Sequence, residues 1–229
     1  MLAPMLRAVR RPHRSGLGLG ALALTLAGTL SGCGGIGQPA PYDSTGINGL
    51  VIPTPSADPA DFVDVVDNPW FPLEPGAAAT FDVTRDGAEV GSIETTVLDR
   101  TTDVGGLTAT GVETTTDIDR ATTVTRFYAQ DEAGNVWLVG ADGEDSTWRA
   151  GVDGAEAGLA MPGDPRLGDG WLSSVVPGVA DASTTIEDQS QQMVQTRNEA
   201  GTTTRTVYEK GVGLVSVEDL DEGWVALRR

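Results

Sequence analysis

Apolar and polar residues alternate with a period of two along most of the chain from Asp61 to Arg229. This alternation, with many β-branched residues and closely spaced turn signals, is typical of antiparallel strands that bury one face. Helical signals are almost absent from the same range. We therefore predict an all-β fold, a single antiparallel meander of roughly ten strands. The meander should form a curved sheet, half-barrel or barrel, since a flat exposed edge would favour aggregation.

Two hairpins are predicted in the first half of this range. The segment from Thr80 to Arg85 runs into Asp86 and Gly87, a pair that tolerates the positive φ angles of a tight turn, and the strand EVGSIETTVL follows. LTATGVETTT and ATTVTRFYAQD form the next pair, and EAGN then turns the chain into VWLVG. In ATTVTRFYAQD one face carries Val124, Arg126 and Tyr128, and the other carries Thr123, Thr125 and Phe127.

The chain from Ala150 to Gly170 differs from its surroundings, because it holds six glycines and two prolines. Such a composition cannot sustain a regular strand for long, so it predicts a long loop. Beyond it the alternation resumes in five segments separated by short turns, namely TTIED, QQMVQT, TTTRTVYE, GLVSVEDL and WVALR.

The first 32 residues have the three-part organisation of an export signal. A basic segment with four arginines and His13 contains no acid, and Leu17 to Leu30 is an uncharged apolar run of 14 residues. That run fits the roughly 7 to 15 residues of a signal core and is shorter than the roughly 20 needed to span a bilayer. The pair Arg10 and Arg11 also leaves a twin-arginine route open beside the general one.

Small residues precede Cys33 in the sequence LSGC, which resembles the lipobox of bacterial lipoproteins. We expect cleavage between Gly32 and Cys33 and acylation of the Cys33 thiol, so that the lipid holds the chain at the extracytoplasmic face of the cell membrane. Residues 34–60 are rich in Gly, Pro and small polar residues. The predicted organisation is therefore a signal peptide at 1–32, a flexible tether at 33–60 and one β-rich domain at 61–229.

The net charge of the predicted mature chain limits the partners that it can bind. Removing the signal takes away four arginines and no acid, which leaves 11 basic residues against 33 acidic ones and a net formal charge of −22. A surface this acidic repels phosphate backbones, so we expect no nucleic acid partner. The expected contacts are the membrane, through the N-terminal lipid, and an unknown component of the cell envelope.

Four stretches together are similar to a family of exported bacterial β-rich proteins and lipoproteins to which no activity is assigned. They are NPWFPLEPG, YAQDEAGNVWLVG, WRAGVDGAEAGLAMPGDPRLGD and YEKGVGLV. The resemblance implies an all-β fold and supplies no substrate. The chain departs from the family pattern at Ala141 and Gly170, where acids are common in that family, so a ligand or metal role of those acids is not expected here.

The predicted mature domain lacks the residues of several common active sites. His13, the only histidine, lies in the signal, and Cys33, the only cysteine, is assigned to the lipid. This excludes Ser-His-Asp and Cys-His nucleophilic sites and histidine-ligated metal centres from the domain. We accordingly assign no catalytic residue, no metal ligand and no cofactor.

Carboxylates are then the remaining general acids and bases. Asp131, Glu132, Asp142, Glu144 and Asp145 lie at predicted turns, where solvated turn residues are the simpler interpretation. A glycosidase would need two carboxylates flanking one cleft. The segment ADGEDS offers oxygen ligands for calcium but lacks the spacing of an EF-hand loop.

Aromatic residues are the remaining candidates for a binding surface. We take Tyr128, Trp137 and Trp148 as candidates to face a ligand, and core packing is the alternative for the tryptophans. The leading hypothesis is a lipid-anchored, non-enzymatic binding or structural module, with an apolar or glycan ligand in the concavity of the sheet. A carboxylate-based hydrolase of envelope polysaccharide and a calcium-stabilised structural module are the alternatives.

Overall fold

The computed structural model describes residues 59–144 and 146–229, which belong to one compact unit. The predicted signal peptide and nearly all of the predicted tether, including Gly32 and Cys33, lie outside the described residues. A 3₁₀ turn at Pro59–Asp61 precedes fourteen strands, and the described residues contain no α-helix. The strands are β1 Phe62–Val63, β2 Ala78–Arg85, β3 Ala88–Val104, β4 Leu107–Ile118, β5 Arg120–Asp131, β6 Val136–Gly143, β7 Thr147–Arg149, β8 Gly158–Met161, β9 Gly170–Ser174, β10 Ala182–Gln189, β11 Met193–Glu199, β12 Thr203–Glu209, β13 Gly213–Asp219 and β14 Trp224–Arg228.

All strand pairs are antiparallel and belong to one sheet, which is curved and not closed into a barrel. The order is β7-β6-β5-β4-β3-β2-β14-β13-β12-β11-β10-β9, with β1 paired to β5 and β8 paired to β6. This confirms the predicted all-β class and curved antiparallel sheet. The sheet consists of two meanders, β2 to β7 and β9 to β14, that are joined because the last strand pairs with β2.

The predicted hairpins are present. Asp86 and Gly87, with φ angles of 55° and 78°, connect β2 to β3, and β4 pairs with β5 from Ile118↔Arg120 to Thr110↔Tyr128. Strand β3 continues past the predicted end to Val104, because the register shifts between Val97 and Thr101 and pairing with β4 then resumes. Such a bulge accommodates extra residues and bends the strand.

The glycine-rich stretch 150–170 contains a short strand, β8, within the predicted loop. Gly158 allows it, since a Cβ there would lie 2.1 Å from the backbone carbonyl of Ser173 in β9. An isolated bridge between Glu156 and Val175 continues this contact, with the Glu156 amide donating to the Val175 carbonyl at 2.8 Å. β8 therefore lies against both β6 and β9, near the two ends of the strand order.

Buried apolar side chains form two clusters. The larger one includes Trp137, Leu107, Leu159, Met161 and Ile186, each no more than 1% exposed. The smaller one is formed by Phe81, Val83, Ile93 and Ala226, where β2, β3 and β14 meet. Among the described residues, no helix is long and apolar enough to cross a membrane.

Candidate ligand-binding cavity

Two adjoining cavities lie inside the curve of the sheet. The first has a volume of about 760 Å³ and is lined by residues of β5 to β8 on one side and β9 to β13 on the other. The second, of about 610 Å³, is lined by residues of β2 to β5 and β12 to β14. Both volumes fall within the roughly 300 to 1,000 Å³ that ligand sites occupy.

Six residues line both cavities and therefore mark their junction. Two are the aliphatic residues Leu214 and Val217 of β13, which form one apolar part of the wall. Three are aromatic and one is a cation, namely Phe71, Tyr128, Tyr208 and Arg126. The junction thus combines apolar surface with a small number of polar groups, as ligand sites do.

Phe71 comes from the segment Asn68 to Gly76, which we call the rim segment. Its ring centroid lies 5.0 Å from that of Tyr128 in β5 and 6.0 Å from that of Tyr208 in β12. Because β5 and β12 belong to different meanders, Phe71 connects the two halves of the sheet across its interior. Tilted ring pairs at such distances are favourable beyond their area of contact.

Asn68, which is 1% exposed, holds the rim segment in place. Its amide nitrogen donates to the carbonyls of Gly134 at 2.8 Å and Pro162 at 3.0 Å, and its side-chain oxygen accepts from the backbone amide of Trp70 at 2.8 Å. The Gln130 side-chain oxygen accepts from the Asn68 backbone amide at 2.8 Å. One buried residue therefore ties together the rim segment, the end of β5 and the loop after β8.

Other residues of the four stretches that carry the family resemblance meet at the same end of the sheet. Asp131 accepts hydrogen bonds from Asn135 and from the indole nitrogen of Trp137 at 2.9 Å, and the Asn135 side-chain oxygen accepts from the Gly163 amide at 2.9 Å. The Gly211 amide donates to the Pro69 carbonyl at 2.6 Å. Hydrogen bonds thus join residues of all four stretches that carry the family resemblance into one structural cluster.

A polar strip crosses the wall of the first cavity on β9 to β12. Thr184 donates to the side-chain oxygen of Asn198 at 2.9 Å and lies 2.6 Å from the Ser173 hydroxyl. The Asn198 amide donates to the Thr206 hydroxyl at 2.9 Å. These groups satisfy one another, so the strip is a preorganised polar surface opposite the aromatic residues of β5 and β7.

Tyr128 and Tyr208 remain neutral over a wide pH range. Burial raises the pKa of both phenols, and the nearby positive charge of Arg126 offsets this only in part. For Tyr208, the neighbouring Tyr128 raises the pKa further. At neutral pH both hydroxyl groups are therefore available as hydrogen-bond donors.

The three aromatic candidates from the sequence lie in two different environments. Tyr128 lines both cavities and half-buried Trp148 lines the first one. Trp137 is 1% exposed in the larger core cluster, and it does not line either cavity. Its indole nitrogen is satisfied by Asp131, which places Trp137 among the structural residues.

Of the carboxylates predicted at turns, Asp142 lies instead within β6, and most of the set is engaged with neighbouring groups. Asp142 binds Arg149 through two oxygens at 2.8 Å, and this hydrogen bonding lowers the pKa of Asp142. Glu144 lines the first cavity and pairs with Arg120 at 2.8 Å, Glu132 is exposed, and Asp145 lies outside the described residues. In residues 59–144 and 146–229, no group of three or more acidic, histidine or cysteine side chains could hold a metal ion.

Sequence reasoning did not single out Phe71, Arg126 or Tyr208 as site residues. The alternation of β5 did place Arg126 on the same face as Tyr128, which is the one local signal for it. Phe71 and Tyr208 reach the site through contacts between distant parts of the chain, which no local pattern reports.

Searches against family models, curated proteins and solved structures found no significant match to this chain. The resemblance carried by the four stretches therefore stays a prediction.

Proposed function

We propose that this chain is a lipid-anchored protein of the cell envelope whose β-domain binds an apolar or amphipathic ligand inside its curved sheet. The observation that carries the proposal is the pair of adjoining cavities of about 760 and 610 Å³. In this proposal the domain holds its ligand and catalyses no reaction.

The lining of the cavities supports binding of a ligand with a large apolar part. Side chains such as Leu138, Trp148 and Leu159 line the first cavity, and Phe81 and Ile93 line the second. Removing a ligand's apolar surface from water contributes about 25 cal/mol per Å². The strip of hydroxyl and amide groups on β9 to β12 would orient the polar part of the same ligand.

The proposed anchor rests on the sequence. Two or three acyl chains on Cys33 would hold the protein at the membrane, because each buried methylene group contributes about 0.8 kcal/mol. The predicted tether after Cys33 would let the domain reach ligands away from the lipid surface.

A hydrolase of envelope polysaccharide is the alternative from another class. It requires two carboxylates that face one cleft, about 5 to 10 Å apart. Among the described lining residues, the first cavity has one carboxylate, Glu144, and the second has one, Glu74. No specific observation favours this alternative over binding, and none favours a calcium-stabilised module.

Filling the first cavity tests the proposal. Ala160 lines that cavity in β8, whereas Ala88 is exposed at the start of β3 and lines neither cavity. The mature protein would be purified from its native membranes, and small molecules extracted from it would be identified by mass spectrometry. We expect a ligand that co-purifies with the natural chain and with Ala88→Phe but is reduced in Ala160→Phe. Empty protein in all three preparations would contradict the proposal.

A further inference from the structure

Three hydrogen-bond donors converge at the junction of the two cavities. Arg126 and Tyr128 lie two residues apart on β5, and Tyr208 approaches from β12. All three side chains line both cavities. The charge of Arg126 acts on both phenols, and Tyr128 acts on Tyr208, so the three polar groups lie within electrostatic range of one another.

None of these donors has a protein partner in the described part of the chain. No hydrogen bond or ion pair joins the Arg126 guanidinium or either phenolic hydroxyl to residues 59–144 and 146–229. Neither hydroxyl is a fully buried atom without a partner, so both reach the cavity space. Arg126 is exposed and both tyrosines are half-buried, so all three donors are open to solvent and can exchange bound water for the acceptor oxygens of a ligand.

The surroundings of Arg126 make its lack of a carboxylate partner notable. The chain carries 33 acidic residues against 15 basic ones, and several other arginines are paired with acids. Its cross-strand neighbours are instead Val112 on β4 and Ala141 on β6, which cannot accept a side-chain hydrogen bond. Of the two acids that line the cavities in the described chain, Glu144 pairs with Arg120.

We infer that Arg126, Tyr128 and Tyr208 form a subsite for the acidic head group of an amphiphile whose apolar part occupies the adjoining cavities. The head group carries oxygen atoms with negative charge, a carboxylate or a phosphate. Arg126 binds such a group with two parallel N–H donors, and the two phenols donate to the same oxygens. This inference rests on the proposed function and specifies its ligand class.

Charge distinguishes this ligand from other amphiphiles. A neutral alcohol can accept hydrogen bonds but gains no charge pairing with Arg126, and a cationic amphiphile would be repelled by it. The acidic outer surface slows the approach of free anions, so the preference for an acid must come from the interior of the sheet. The subsite thus favours an acidic ligand, although the molecule as a whole is negatively charged.

Binding of three amphiphiles with the same chain length tests the inference. The polypeptide is residues 33–229 with Cys33→Ser, which contains the whole sheet and both core clusters. The probes are hexadecanoate, hexadecyl phosphate and hexadecanol. Binding is followed by the tryptophan fluorescence of the protein, to which Trp148 in the wall of the first cavity contributes. We expect at least one of the two acids to bind about tenfold to a hundredfold more tightly than the alcohol. The ratio between the two acids identifies the head group.

Variants of the three donors localise the effect. Arg126→Gln should remove the preference for the acid, while Arg126→Lys should retain much of it because the charge remains. Tyr128→Phe and Tyr208→Phe should each weaken acid binding about threefold to tenfold and weaken alcohol binding less, because hydrogen bonds to a charged oxygen are the stronger ones. Arg100→Gln is the matched control, because Arg100 is exposed on β3 and lines neither cavity. Circular dichroism confirms that each variant is folded.

The outcomes separate this inference from the proposed function. Equal affinity for acid and alcohol, or a preference that survives Arg126→Gln, overturns the subsite while the cavity remains a binding site. Failure of all three probes to bind the folded natural sequence overturns both proposals.

Discussion

Buried side-chain amide groups hold the end of the sheet where Phe71 enters the interior. Asn68 and Gln130 are at most 5% exposed, and their hydrogen bonds join the rim segment to β5 and to two loops. A buried polar network of this kind stabilises one arrangement only when its donors and acceptors are all satisfied. These residues thereby determine where Phe71 lies and hence how the two cavities are divided.

Replacing the Asn68 amide by a carboxylate tests this network. Asn68→Asp removes the donors to the Gly134 and Pro162 carbonyls and places negative oxygen atoms next to them. We expect the free energy of unfolding, measured by chemical denaturation, to fall by about 3 kcal/mol or more. Gln191→Glu makes the same chemical change at an exposed position and should stay within about 0.5 kcal/mol. Similar small losses in both variants would contradict the structural role of Asn68.

The two cavity phenols make stability depend on alkaline pH. Their pKa values are raised in the folded protein, so between the ordinary value of about 10 and the folded value the unfolded chain binds fewer protons. Stability is therefore fully present below about pH 10 and falls as the pH rises further, by up to about 1.4 kcal/mol per pH unit for each phenol. Unfolding by denaturant at several pH values should show this slope. It should be markedly reduced in Tyr128→Phe/Tyr208→Phe, and an unchanged slope in that variant would contradict the assignment.

Among the strands, β8 was not predicted, because it lies in a glycine-rich stretch that the sequence predicts as a loop. It is four residues long, and it fits between β6 and β9 because Gly158 leaves room for the Ser173 backbone. The indole nitrogen of Trp171 in β9 donates to the Leu159 carbonyl at 2.8 Å, which fixes the same contact from the other side. β8 consequently contributes Leu159 and Ala160 to the wall of the first cavity.

A methyl group at position 158 should disturb this contact. Because its Cβ would lie 2.1 Å from backbone atoms, which cannot rotate away as a side chain can, Gly158→Ala should lower the free energy of unfolding by about 1 to 3 kcal/mol. Gly170→Ala is the matched control in β9, where the nearest atom would be the Thr185 hydroxyl at an ordinary 3.4 Å. Thermal denaturation of both variants gives the comparison. Equal melting temperatures would show that β8 tolerates displacement from β9.

For the whole molecule, two meanders joined by β14 and β2 produce a curved sheet with space inside it. The outer surface carries ion pairs, such as those of Arg205 with Glu187 and Glu218, on strands of the second meander. These pairs are only partly exposed, and ion pairs near the surface contribute little stability each, about 0 to 1 kcal/mol. The high negative charge therefore serves solubility more than stability.

A substitution at Cys33 tests the proposed attachment of the whole chain to the membrane. If the thiol carries the lipid, Cys33→Ser should prevent both acylation and cleavage after Gly32, so that no lipid-bearing mature protein is retained on membranes washed with carbonate. Gly34→Ser, which leaves the thiol in place, is the control and should be processed and retained. Mass spectrometry of the mature N terminus and fractionation measure both effects. Retention of correctly cleaved Cys33→Ser protein would contradict the proposed anchor.

Strands and tight turns were predictable because they depend on neighbouring residues. The alternation in β2, β4 and β5 and the Asp86-Gly87 turn reflect one buried face and one pair of positive φ angles, both local properties. The extension of β3 through a bulge and the formation of β8 were not predicted. Both depend on a partner strand that supplies hydrogen bonds where the local sequence is unremarkable.

The sequence by itself determined the all-β class, the turns of the main hairpins and the faces of strands such as β5, because side-chain alternation is built into the extended backbone. Only the tertiary structure decided that β14 pairs with β2, that Phe71 lies between Tyr128 and Tyr208, and that Arg126 faces both cavities. These contacts join residues far apart in the chain, and they depend on the curvature of the complete sheet, which no short segment specifies.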